Sequence, residues 1–216
     1  LFAFRKTERT ISMMMKYRTS LIRLRAHGRH LNQHHWSALH SCAYNIVVAC
    51  TEKERVIGRN ARLPWSLKED REWFLQQTEG GVIVCGRNCF EEELILGSLG
   101  GIGGRDYVVI TSNPDKLMQQ HPGLKAAASL EQGMHIASTY YKSKQVWIGG
   151  GERIYREALG GGGARALYLT LVHNGGDGRP PRLDLADGAA YARFPAWADR
   201  FPREVYRAGP RVDPGG

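Results

Sequence analysis

Three places in the sequence combine residue types and spacings that could do chemistry. The first is Asp70, inside RLPWSLKEDREWF (62–74). A Pro-Trp turn there runs into a helical pattern over 66–78, with Ser66 as the expected N-cap and Glu69 completing a Ser-x-x-Glu capping box. At helical spacing Asp70 shares a stripe with Trp73, Phe74 and Gln77. An acid in a first turn is favourable to the helix dipole, which would be reason enough for it. On the aromatic face it could instead grip a cationic or amidine-like heterocycle from a partly apolar pocket. The second place is GGGERIY (149–155), a Gly-rich turn between an apolar strand and a helix. Such a turn lets backbone amides approach a pyrophosphate while the helix N-terminus supplies partial positive charge. The spacing is not G-x-G-x-x-G, so a plain strand–helix connection fits equally well. The third is VIVCGR (82–87), where Arg87 follows a strand directly. It could take a phosphate with its planar fork, or simply be solvated. Together the three describe a cleft at strand ends with a phosphate-bearing cofactor and one acid. That combination fits reductive chemistry.

The elements that must position these groups read as an alternation. Buried strands are expected at YNIVVAC (44–50), VIVC (82–85), YVVITS (107–112), QVWIG (145–149) and ALYLTLV (166–172). Helical patterns fall at 66–78, 88–96, 129–140 and in ERIYREAL (152–159). Strands apolar throughout and alternating with helices imply an α/β domain, a central mostly parallel β-sheet flanked by helices with right-handed crossovers. Beyond Val172 the pattern thins into a Gly-, Pro- and Asp-rich stretch, with one further plausible strand at REVYRA (203–208).

Composition sets the outer limits. The 216 residues carry a net charge of +9, but residues 1–43 hold eight Lys/Arg against one acid, leaving +2 for the rest. The globular part therefore gives no reason to expect a nucleic-acid partner. Four cysteines, irregularly placed, do not make a disulfide framework and suggest a reducing compartment. No apolar run approaches a membrane-spanning length. Residues 1–43, basic and rich in Ser and His, are expected to be a disordered or transit-like extension, leaving 44–216 as the domain. The expected location is then cytoplasmic, or a mitochondrion or plastid if this segment is an address. His27, His30, His34, His35 and His40 lie in it without an acid to complete a metal site, so no metal is expected.

With these residues in hand, the chain resembles the dihydrofolate reductase family. The resemblance rests on VIG (56–58), LPW (63–65), Asp70 with WF (73–74), GR (86–87), GR with VVITS (104–112), VWIGGGERIY (146–155) and LYLT (167–170), in order over about residues 44–172. It implies NADPH-dependent reduction of 7,8-dihydrofolate to 5,6,7,8-tetrahydrofolate, supplying one-carbon metabolism, with hydride delivered to C6 and a proton to N5. Asp70 would hydrogen-bond the pterin's 2-amino group and N3, with Thr170 linked to it. Trp65 would seat the ring and an ordered water, Phe74 would pack on it, and Arg105 would hold the α-carboxylate of the glutamate tail. Arg87, with Thr111 and Ser112, would meet the adenosine 2′-phosphate. Gly150 and Gly151 match a cis pair, and Glu152, Arg153, Ile154 and Tyr155 would line the cofactor. Ala49, or alternatively Cys50, would meet the nicotinamide carboxamide. Ile57, Gly58, Leu63, Gly86, Asn88 and Cys89 complete the cofactor positions. Fusion to, or association with, thymidylate synthase is a further implication.

The chain departs from the family pattern in places. Arg71 stands where an apolar substrate contact is usual, so it joins the substrate-binding candidates. Cys89 replaces a Thr, and Gly149 replaces an Ile or Val. YARFP (191–195) occupies a turn position, and the last β-hairpin strand has no clear counterpart, so that strand is expected to be missing. Two other readings stand beside the first: a riboflavin-pathway pyrimidine reductase of the same general fold, and an inactive truncated paralogue.

Overall fold

The computed structural model describes residues 18–25, 42–95, 105–173, 190–197, 201 and 206–208. Its frame is an eight-stranded sheet in the order β10-β1-β8-β2-β7-β4-β5-β6. The six strands from β8 to β6 are mutually parallel: β2 (Tyr44–Thr51), β4 (Val82–Gly86), β5 (Asp106–Ile110), β6 (Lys125–Ala127), β7 (Val146–Ile148) and β8 (Ala164–His173). Successive side chains on a strand point to opposite faces. Ile46, Val48, Val84 and Val108 therefore meet one layer, and Val47, Ile83, Cys85 and Val109 meet the other. Both faces are covered, which is why these strands are apolar without alternation.

The first layer contains α4 (Leu130–Tyr140) and α5 (Glu152–Gly161), through Met134, Ala137, Ile154 and Ala158. The second contains α1 (Lys68–Gln77), α2 (Arg87–Ile95) and α3 (Pro114–Gln120), through Trp73, Phe74, Phe90 and Leu117. Helix α4 starts as its sequence suggests, the Ser129 hydroxyl accepting from the Gln132 amide at 3.2 Å. Helix α1 does not. Its N-cap is Leu67 and no side chain caps it, so the Ser66 capping box is not formed. None of its residues is fully buried either, because one flank of α1 forms a cleft wall.

Two expectations need correction at the sheet's other end. Residues 18–25, set aside with the rest of 1–43, form β1 (Arg18–Arg25), paired antiparallel to β8 along its whole length. Leu24 is buried in the core, while Arg23 and Arg25 face outward, the alternation of a half-covered strand. The C-terminal strand expected to be missing is partly present as β10 (Tyr206–Ala208), which pairs antiparallel with β1 rather than with β8. The five histidines lie outside the described residues, as do Gly104 and most of the stretch after His173. A separate ribbon joins β3 (Val56–Arg59) to β9 (Tyr191–Arg193), so the divergent YARFP segment is a strand seated on the loop before α1. Among the described residues, no helix is long and apolar enough to cross a membrane and no group of His, Cys, Asp and Glu could hold a metal ion.

Candidate active site

In open α/β sheets, ligands sit beyond the carboxyl ends of the strands. A cleft of about 710 Å³ opens there, between α1, α2, the loop after β3 and the ends of β2 and β7. Asp70 projects into it from the first turn of α1, with Trp65, Phe74, Ala49 and Thr170 also on its wall. Burial pushes the Asp70 carboxyl above its ordinary range, while the Thr170 hydroxyl and Arg71 draw it part of the way back. Thr170 is fully buried and makes no regular hydrogen bond of its own, and Trp65 Nε1 is likewise buried without a protein partner. Buried polar groups are nearly always satisfied, so such atoms beside a half-buried acid point to a polar ligand.

At the other end of the cleft, α2 and α5 both begin where strands end, at Gly86-Arg87 and Gly151-Glu152. The Gly150–Gly151 peptide is cis, and the Gly86 amide donates to the Gly150 carbonyl at 2.7 Å. Gly150 has φ +109, and a Cβ there would lie 3.1 Å from the Tyr155 hydroxyl and 3.2 Å from Cys89 Sγ. Glycine is thus required by both backbone and space. Two helix N-termini beside bare backbone make a cradle for a dianionic phosphate group. Tyr155 supports it from below, its hydroxyl donating to the Val47 carbonyl at 2.8 Å. Burial lifts the Cys89 thiol to about 12, so it faces the cradle as a neutral group.

The sequence pattern of the dihydrofolate reductase family matches residues 44–195. The chain belongs to that family. It is 28% identical over 174 residues to a dihydrofolate reductase, HdrB, of Haloferax volcanii, a match spanning 74% of this chain and 89% of the relative. It is 31% identical over 136 residues to the dihydrofolate reductase of Bacillus subtilis, covering 62% of this chain and 73% of that one. A bifunctional dihydrofolate reductase-thymidylate synthase of Glycine max is 29% identical over 172 residues, 74% of this chain and 31% of the relative.

For a chain of the dihydrofolate reductase family, the placement of the expected residues divides in three. Ala49, Ile57, Leu63, Trp65, Asp70, Arg71, Phe74, Asn88, Cys89, Gly150, Gly151, Tyr155 and Thr170 all line the cleft. Ala49 rather than Cys50 is the cleft residue, since Cys50 is fully buried in the core. Others stand close by without lining it. Arg105 flanks Phe74 with its guanidinium carbon 6.0 Å from the ring centroid, held by hydrogen bonds to Thr78 Oγ1 at 2.7 Å and to the Leu75 carbonyl at 2.8 Å. Arg87 is half-exposed at the start of α2, with Nε donating to Glu91 at 2.6 Å. Thr111 and Ser112 follow the end of β5, outside the lining, and exposed Arg153 lies 3.9 Å from Glu157.

The third group has structural duties. Ile154 is buried in the core and turned from the cleft. The Glu152 carboxylate accepts from the Arg193 amide at 3.0 Å and from Arg156 at 2.6 Å, tying β9 to α5. Gly58 lies in the β3–β9 ribbon, where a Cβ would meet the Arg62 carbonyl at 3.4 Å.

Several lining residues had no signal in the sequence. Asn60 and Ala61, both at positive φ, turn the loop after β3 over the cleft. Glu92 and Glu93 lie in the helical pattern at 88–96; Glu92 accepts from the Leu63 amide at 2.8 Å, and Glu93 pairs with Arg71. Tyr107 reaches the lining from β5.

Proposed function

We propose that the protein reduces 7,8-dihydrofolate to 5,6,7,8-tetrahydrofolate with NADPH as electron donor. The observation that carries this reading is Asp70: a half-buried acid, lining with Trp65 and Thr170 the same cleft as the Gly150-Gly151 cradle. A pterin's 2-amino group and N3 present two donors to one carboxylate, and charge-assisted pairs of that kind orient a planar ring. Phe74 offers the ring an apolar wall, and Arg105 suits the carboxylate of a glutamyl tail. The Gly86 and Gly150-Gly151 backbone, with the N-termini of α2 and α5, fits a pyrophosphate, and Arg87 stands where a 2′-phosphate could replace Glu91 as its partner.

When bound, the reduced nicotinamide supplies the hydride that C6 receives. The chain's own part would be to hold both rings in the one cleft, keep bulk water out and keep Asp70 ionised against the ring's donors. Asp70 reaches the pyrimidine side of the pterin, so the N5 proton is assigned to an ordered water rather than to the carboxyl itself. Relatives that are bifunctional reductase-synthases, such as that of Glycine max, support a working partnership with thymidylate synthase.

Steady-state NADPH oxidation by the full chain, with and without dihydrofolate, tests the reading. Turnover should need dihydrofolate and should favour NADPH over NADH. A folded protein that binds NADPH yet never turns over would sink the claim of activity.

A further inference from the structure

The outer half of the cleft is built with charge. Arg71, on α1, forms a two-pronged ion pair with Glu93 on α2, Nη1 to Oε1 at 2.6 Å and Nη2 to Oε2 at 3.1 Å. Their side chains are 27% and 15% exposed, so the pair is partly desolvated yet still reachable. It ties together α1 and α2, two helices whose residues line the cleft. The Arg71 guanidinium carbon also lies 5.6 Å from the Phe74 centroid, and Arg105 flanks that same ring at 6.0 Å. Two guanidinium groups therefore lie beside one phenyl ring.

A second feature bears on Glu93. Tyr107 is 5% exposed, lines the cleft and has a hydroxyl with no hydrogen-bond partner. Glu93 is the strongest charge acting on that phenol. A buried carboxylate deprived of its cation is costly unless another donor takes over. Tyr107, with an unpartnered hydroxyl in the same cleft lining as Glu93, is a donor of that kind.

We infer that Arg71 is a second carboxylate-binding residue, stored on Glu93 in the free protein and transferred to an anionic group of the ligand's tail. Arg105 and Arg71, both beside Phe74, then hold a dicarboxylate such as a glutamyl tail. Glu93 acts as the exchangeable counter-ion and Tyr107 takes up its freed oxygen. Selectivity follows from the exchange. A ligand with a carboxylate tail replaces what it displaces, whereas a tail-less pterin leaves the Arg71–Glu93 pair in place and gains nothing from it.

This inference rests on the dihydrofolate reading, and the test separates the two. Dissociation constants for dihydrofolate and for 6-methyl-7,8-dihydropterin, which has no tail, would be measured by fluorescence quenching on the NADPH complex. The full chain, Arg71→Met and Glu93→Gln would be compared. Arg71→Met should weaken dihydrofolate about tenfold, the size expected for one charge-assisted contact, and weaken the tail-less ligand far less. Glu93→Gln should tighten dihydrofolate several-fold, again with far less effect on the tail-less ligand. Tighter or unchanged dihydrofolate binding by Arg71→Met would overturn the inference, the former identifying the pair as a barrier. Equal losses for both ligands would reduce it to helix positioning. If the unmodified protein bound neither ligand, the dihydrofolate reading itself would fall, and this inference with it.

Discussion

Asp70 works against the stability of the free protein. Its carboxyl is raised by burial, so the folded chain binds a proton there more readily than the unfolded chain does. The sign follows from linkage. Above the folded-state value the chain bears an ionised, partly buried acid. As pH falls toward the unfolded-state value that penalty disappears. Asp70→Asn should therefore melt higher than the unmodified protein at pH 7, with the gap closing as pH drops through the carboxylate range. A gap that stays constant with pH, or has the opposite sign, would show that burial does not dominate. Thr78 offers a second residue-level test. Its hydroxyl donates to the Phe74 carbonyl and accepts from Arg105 Nε, both at 2.7 Å. Thr78→Val should release Arg105, raising KM for dihydrofolate about fivefold to tenfold at similar kcat, the scale of one hydrogen bond to a charged group. Asp70 was legible from the sequence because an acid on an aromatic stripe breaks a pattern. Glu93 and Tyr107 were not, because an acid on a helix and a Tyr in a strand break none.

At the scale of elements, the strand–turn–helix units were the readable part. The five apolar runs at 44–50, 82–85, 107–112, 145–149 and 166–172 became β2, β4, β5, β7 and β8. Continuous burial on both faces leaves a signal that local propensity does not blur. The short elements β3, β6 and α3 escaped notice, since four, three and seven residues hold too little periodicity. Gly149 shows how a departure from family pattern can mislead. The resemblance puts an Ile or Val there, yet a Cβ at Gly149 would sit 2.7 Å from Ile83 Cγ2. The space is already filled from β4. Gly149→Ala should destabilise the protein by about 1–3 kcal/mol in urea unfolding, the cost of overpacking. Adding Ile83→Ala should recover part of that loss, and strictly additive losses would argue against direct crowding.

The whole molecule depends on a segment whose composition suggested it was dispensable. Arg, Ser and His made residues 1–43 look like an extension, and that bias hid the alternation of Ile22 and Leu24 with Arg23 and Arg25. Strand β1 covers the backbone of β8, the same strand that carries Thr170 to the cleft. Removing residues 1–25 should bare that edge and detach β10, leaving unpaired backbone of the kind that promotes aggregation. Low soluble yield and a lower urea midpoint are expected, whereas an unchanged midpoint would mean that β1 adds nothing. A protein trimmed to 44–216 is consequently the wrong material for an activity assay.

The central claim is that this cleft, through Asp70, reduces dihydrofolate. Its most direct test is a single turnover: the full chain, pre-loaded with NADPH, mixed with a limiting amount of dihydrofolate and followed to tetrahydrofolate. The unmodified protein should convert the substrate completely, and Asp70→Asn should do so at least ~100-fold more slowly at neutral pH. No tetrahydrofolate from the unmodified protein, or equal rates from the two, would contradict it.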